Sequence, residues 1–465
     1  MQDFLQFSAS ELVAKIKSKA LSSVEVVQAH IERINAINPK INAVQQLHVE
    51  QALQQAKQAD AALVKGKSLG KLHGLPISFK DTAYVKDFRV SRGSKLFYGD
   101  LATQDCTVAA RLKAAGAIIL AMTNVPELLM RYQTDNVIYG RTNNPHDLSR
   151  TPGGSSGGEA ALIAACGSPL GIGSDFGGSI RMPASNCGIA GIKPTQMLVP
   201  NSGNFPIDTA GVILNCATMG PMARYVKDLT LCLSIIAGRD GYDPYVPPVT
   251  LGDPDSVDMK KLKLAYFNSD GINAVDEEVA KTLANVVQAL RTEVDSLEER
   301  VDECLQDILR VHFETTVLSD DRAQGLTALF NDLPEKDISA FTQDTIRLLK
   351  TKKIDTTTLR RQLLEAQQFP FKLMRAYHDI DVIISPVSSY PAVKHGIATD
   401  KLTDFTFVQL FNIAGWPAAV VRCGTSREGL PIGVQIAAKP WCDHIALAVA
   451  GCLEEIFHGW QMPPL

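Results

Sequence analysis

The 465-residue chain has no C-x-x-C pair among its nine cysteines, no H-E-x-x-H, and no run of about 18 apolar residues. Scattered cysteines, odd in number, exclude a zinc ribbon or a disulfide framework and point to a reducing compartment. The missing H-E-x-x-H removes the zincin type of metalloprotease. The missing apolar run removes the reason to expect a membrane-spanning helix. The first residues, MQDFLQFSASELVAKIKSK, lack the basic-then-apolar order of a secretory signal. Excess charge is scarce as well: a net charge of −4 and a pI near 6.2 offer no basic surface to nucleic acid. No internal repeat or low-complexity segment occurs. These absences predict a cytoplasmic protein with no metal, no cofactor, no nucleic-acid partner and no membrane anchor; a homodimer stays open.

What is present is ordinary in bulk and particular in detail. A composition of 45% hydrophobic and 21% charged residues is that of a globular chain long enough to bury a large core and a closed site. Ser8 with Glu11, and Ser22 with Glu25, have capping-box spacing. Leu12 and Ile16, then Val27, Ile31 and Ile34, continue each at helical period. A third helix is predicted over Val49 to Leu63. Gly74 to Lys80 reads as a short strand ending on a lysine. Asp105 is predicted to cap a helix through Ala115 that stops at Gly116, followed by a buried strand over Ile118 to Met122. Further strands are predicted around Leu262 to Tyr266, Asp381 to Pro386, Ala418 to Val421 and Pro431 to Ala437. Helices are predicted over Val279 to Leu290 and Asp443 to Ile456. Strand–helix alternation of this kind builds a large sheet between helices. The proline- and glycine-rich stretch from Arg239 to Asp255 is a connecting loop, with strand signals resuming after it.

Two glycine-rich segments carry the chemistry. In Thr151-Pro-Gly-Gly-Ser-Ser-Gly-Gly-Glu159, Gly154-x-Ser156-x-Gly158 matches the nucleophile elbow in form. That elbow needs a strand directly before it, whereas Asn143 to Arg150 are loop formers. A phosphate loop fails because Glu159 stands where lysine is required, and Gly171-x-Gly173 lacks the third glycine of a dinucleotide fingerprint at Phe176. In the second segment, Gly171 to Arg181, small residues before Ser179 let backbone N–H groups converge on one point. Such a concave donor set stabilises an oxyanion beside a serine nucleophile, or forms an anion nest with an idle serine. A serine needs a base, and neither segment contains a histidine. Lys80, once buried, loses its charge more readily and can accept a serine proton; exposed, it would be a plain surface lysine beside Asp81.

Lys80 in GLPISFKD, Ser155 in GGSSGGEAAL and Ser179 in GSDFGGSIRMPAS together resemble the amidase signature family. The resemblance is dense from Gly74 to Thr195 and includes TNVPE at Thr123 to Glu127 and GIAGIKPT at Gly188 to Thr195. It is weaker in Phe411 to Gly415 and Gly429 to Gln435. It implies an α/β fold: a large, mixed, twisted sheet flanked by helices on both faces, in three layers. Residues 1–465 would form one amidase domain, with a signature core at about 70–225 and the loop at about 239–255 on its surface. It also implies a Ser–cis-Ser–Lys triad: Ser179 the nucleophile, Ser155 a relay joined to Gly154 by a cis peptide, and Lys80 the base. The backbone N–H groups of Phe176, Gly177, Gly178 and Ser179 would hold the oxyanion, while Ser156 and an Asp175–Arg181 pair would support the loop. Phe176 departs from the smaller or branched residues usual there and would narrow the pocket.

The resemblance implies an amide hydrolase that works through an acyl-enzyme on a small-molecule or acyl amide. Its alternatives are the A subunit of a glutamyl-tRNA amidotransferase, a glutaminase within a complex, and a catalytically inactive binding relative. After Lys193-Pro-Thr195 the chain continues Gln196-Met-Leu-Val199 rather than the Tyr-Gly type of segment usual in the amidotransferase, which favours the hydrolase. In Asp320 to Tyr377, residues Phe330, Phe341, Phe369, Phe371, Leu373 and Met374 fit either an apolar acyl pocket or an ordinary core face.

Overall fold

The computed structural model describes residues 3–67, 70–99, 101–204, 216–316, 323–397 and 405–465. The two amino-terminal capping boxes form as predicted, and each starts a helix: α1 (Ala9–Lys17) and α2 (Ser23–Ile41). The remaining helices are α3 (Val49–Val64), α4 (Thr107–Ala114), α5 (Gly157–Ala164), α6 (Arg181–Cys187), α7 (Val226–Ile236), α8 (Glu277–Leu290), α9 (Asp307–Thr316), α10 (Gln324–Phe330), α11 (Ala340–Lys350), α12 (Thr356–Ala376), α13 (Thr406–Ile413) and α14 (Asp443–Phe457). The strands are β1 (Val44–Leu47), β2 (Pro76–Lys80), β3 (Ile118–Thr123), β4 (Asp135–Asn136), β5 (Gly140–Arg141), β6 (Leu170–Asp175), β7 (Ala190–Lys193), β8 (Thr218–Ala223), β9 (Lys263–Tyr266), β10 (Ser296–Glu299), β11 (Val382–Pro386), β12 (Ala418–Thr425) and β13 (Pro431–Ala438).

Eleven strands form one sheet in the order β1-β3-β2-β6-β8-β7-β12-β13-β11-β9-β10, and β4 pairs with β5 apart from it. Pairing is mixed: β3-β2-β6 and β11-β9-β10 run parallel, while β6-β8-β7-β12-β13-β11 alternate. Period-2 alternation sends one set of side chains to each face. Ile77, Phe79, Leu170, Ile172, Val434 and Ile436 pack under α1, α4, α7, α8 and α14. The opposite face lies under α2, α3, α5, α6, α9, α12 and α13. The architecture is therefore the expected α/β sheet with helices on both faces.

Sequence and structure part at three places. The cap of α4 is Cys106, not Asp105. Residue 106 has the extended backbone of a cap and its Sγ accepts from Ala109 N–H at 3.4 Å. Asp105, one position too early, instead accepts from Lys86 N–H and Lys113 Nζ, each at 2.7 Å. The glycine-rich run from Gly171 is half strand: Leu170 to Asp175 is β6, buried throughout. Its glycines admit what lies on the sheet, since a Cβ on Gly173 would sit 3.0 Å from Ser156 Oγ and 2.9 Å from Ile180. Finally, Phe330, Phe341, Phe369, Phe371, Leu373 and Met374 do not share one face. Phe369 and Leu373 are core, Phe371 is 66% exposed, and Phe341 lies under Arg131. Asp320, the expected start of that segment, lies outside the described residues.

Candidate active site

Three sheet strands and two helix starts meet at one point. β2 ends on Lys80, whose side chain is sealed from solvent. Its Nζ lies 2.8 Å from Ser155 Oγ, 2.9 Å from Ser174 Oγ and 3.1 Å from the Ser174 carbonyl. Ser155 belongs to the turn before α5, and the Gly154–Ser155 peptide is cis. Only glycine fits at 154, because a Cβ there would lie 2.6 Å from the Arg131 carbonyl oxygen. No strand precedes this turn, so Ser156 does not stand on an elbow. Ser156 N–H instead donates to the Ser179 carbonyl at 3.2 Å, and its Oγ to the Ser174 carbonyl at 3.3 Å. The two glycine segments are thereby laced together. Among the described residues no hydrogen bond joins the Ser155 and Ser179 hydroxyls. Exposure is graded along the row: Lys80 0%, Ser155 1%, Ser179 8%. Of these three, Ser179 is the most exposed.

Electrostatics follows burial. Desolvation pulls Lys80 down to about 7, against the opposing pull of the Asp175 and Glu159 carboxylates. Asp175 would rise by burial alone, yet Arg181 beside it holds it well below the usual carboxylate range. The predicted Asp175–Arg181 pair is bidentate and fully buried, at 2.9 and 3.0 Å. Asp175 also gathers the N–H groups of Gly178 (2.7 Å) and Ile180 (3.1 Å). Convergence of N–H groups on one point is thus real, but one of its points is this carboxylate. The Gly178 N–H, predicted as an oxyanion donor, is already donated there.

Several residues here carry no site signal of their own in the sequence. Ser174 falls in a glycine-rich run where no strand is predicted, whereas it is the last-but-one residue of β6 and grips Lys80. Asn412 and Gln435 both hold Arg181, whose Nη1 donates to Gln435 Oε1 at 2.6 Å. A signal for these two exists, because they lie within the two weaker C-terminal resemblances. His312 of α9 has none. It packs on Phe176, ring centroids 5.9 Å apart, and burial pushes it down to about 4. Tyr132 donates to the Gly177 carbonyl at 2.7 Å, and Val408 of α13 fills the space where a Gly178 side chain would go. The second glycine turn is therefore clamped from α9, α13 and the β3–β4 connection. Among the described residues no cluster of His, Cys, Asp or Glu is arranged to hold a metal, and no helix is long and apolar enough to cross a membrane.

The profile of the family described as Amidase matches residues 25–447. The chain belongs to the amidase family. Among its relatives, human fatty-acid amide hydrolase 2 is 32% identical, with 99% of this chain and 91% of that protein aligned. The A subunit of the glutamyl-tRNA(Gln) amidotransferase from Picosynechococcus sp. is 31% identical, with 96% and 97% aligned. In structure the chain is similar to 6-aminohexanoate cyclic dimer hydrolase, with a TM-score of 0.88 at 25% identity over 99% of both chains. This amidase is an enzyme of amide-bond hydrolysis, and its densest family motifs are the segments that meet at Lys80.

Proposed function

We propose that this amidase cleaves amides through an acyl-enzyme, with Ser179 as nucleophile, Ser155 as proton relay and Lys80 as base. One observation carries the reading: the sealed Lys80 amine in contact with Ser155 Oγ at 2.8 Å. A neutral amine has two N–H groups and one lone pair. The Ser174 carbonyl can only accept, so it takes one N–H, and Ser174 Oγ takes the other. The lone pair is then left for the Ser155 proton. As Ser155 hands that proton to Lys80 it draws one from Ser179, whose Oγ attacks the substrate carbonyl. Phe176, Gly177 and Ser179 supply the N–H donors for the oxyanion, each worth about 3 kcal/mol. When the C–N bond breaks, Ser155 returns a proton to the leaving nitrogen and is reprotonated by Lys80. Water then releases the acid by the same relay.

Incubation with a fluorophosphonate, followed by peptide mapping, should place one adduct on Ser179. An unmodified Ser179 would refute the nucleophile assignment. For substrate, the likeness to fatty-acid amide hydrolase 2 supports an acyl amide, although Phe341, Phe369, Phe371 and Leu373 do not line one face. A chain-length panel decides this: far faster cleavage of short-chain amides sinks the lipid reading. The likeness to the amidotransferase supports a second reading as a glutaminase, tested by ammonia release from glutamine with and without charged tRNA. A non-catalytic binding role is disfavoured by the intact Lys80, Ser155 and Ser179. We read residues 1–465 as one amidase domain. Nine unpaired cysteines support a cytoplasmic setting.

A further inference from the structure

Glu159 is the buried titratable group that the proposed chemistry leaves unused. It stands in the first turn of α5, wholly buried. Its carboxylate accepts from Ser78 Oγ and, at 2.7 Å, from Thr123 Oγ1. Ser78 precedes Lys80 by two positions on β2, so both project from the same face. Thr123 is the register partner of Lys80 on β3. The carboxylate therefore lies one residue pair from the Lys80 side chain on the same sheet face. Room for it is made by Gly171, the β6 partner of Ser78, where an added Cβ would collide with Glu159 Oε1.

Around Lys80 the charged groups are few. Glu159 faces it from α5 and Asp175 from β6. Asp175 is committed to Arg181 of α6, with Lys193 of β7 nearby. Glu159 has only two neutral hydroxyls in contact and, among the described residues, no ion pair. Among the described residues, Lys80 is the cation that favours its ionised form. A buried carboxylate in that position must be protonated or be balanced by the amine.

We propose that Glu159 is a positioning residue that sets the charge of Lys80, the two groups holding one proton between them as ammonium with carboxylate or as amine with carboxylic acid. Either arrangement is neutral overall, so the site keeps its free amine without burying a net charge. When the pair changes state, an N–H bond at Nζ is lost and an O–H bond on Glu159 is made. Burial moves Glu159 up to about 7, restrained by the Ser78 and Thr123 hydrogen bonds and then by Lys80. It moves Lys80 down to about 7, restrained by Asp175 and then by Glu159. The inference rests on Lys80 being the base.

The test is the pH dependence of Ser179 labelling by a fluorophosphonate in wild type, Glu159→Gln and Thr123→Val. Glutamine keeps the shape and loses the negative charge that favours ammonium, so the acid limb should move to lower pH by roughly one unit. Thr123→Val removes a donor to the carboxylate, favours its protonated form and should shift the limb the same way by less. It also decides the matter if Glu159→Gln fails to fold. A uniform loss of rate with an unmoved limb overturns the inference while leaving the triad standing. No label on wild-type Ser179 overturns the triad and this inference together.

Discussion

At the Lys80 amine, burial and two carboxylates act in opposite directions, and burial prevails. Because the base must be unprotonated, turnover should climb as pH rises through about 7, the value to which Lys80 is lowered. Lys80→Ala should cost about a hundredfold or more in kcat with an unchanged circular dichroism spectrum; unchanged turnover would place the base elsewhere. Arg181 is a different kind of residue. It binds Asp175, Gln435 and Asn412 at zero exposure. Arg181→Met leaves the Asp175 charge buried without its partner, so denaturant unfolding should report a loss of about 3–5 kcal/mol. Lys80, Ser155 and Ser179 were legible in the sequence because their motifs are local strings. Ser174 and Glu159 were not, because their importance lies in which strand neighbours they face.

Among the elements, close approach decides where glycine is needed. Gly171 in β6 has the Glu159 carboxylate against its Cα, and Gly451 in α14 has nothing within 4 Å of an added Cβ. The same substitution should therefore act in opposite directions. Gly451→Ala should stabilise by about 0.5–1 kcal/mol through helix propensity. Gly171→Ala should destabilise by about 1–3 kcal/mol through overpacking. Urea midpoints of the two variants check both signs. The helices capped by Ser8 and Ser22 were legible for a related reason, since a capping box is complete within four consecutive residues. Strand β6 was hidden because its glycines carry little strand propensity; they admit α5 and Ile180 onto the sheet.

In the whole molecule, buried ionisable groups link folding to pH. Lys193 is lowered to about 7 by burial, whereas an unfolded lysine titrates at about 10.4. Above about pH 7 the unfolded chain therefore binds more protons than the folded one, and stability rises with pH. Buried cysteines, pushed above their ordinary values, oppose this once unfolded thiols ionise at about 8.5. The lysine-driven rise should thus show in the window from about 7 to 8.5. Lys193→Met should flatten it in urea titrations, and an unaltered slope would show that Lys193 does not contribute.

The sequence by itself determined the family, the α/β class, the two capped helices and the three side chains of the proposed triad. Each of these is written in contiguous residues or in a short repeat of polarity. Tertiary structure alone decided that Asp175 takes the Gly178 N–H, that Asn412 and Gln435 close on Arg181, and that Ser174 and Glu159 stand beside Lys80. Those contacts join residues far apart in the chain. They exist only once an eleven-stranded sheet has set the register between β2, β3 and β6.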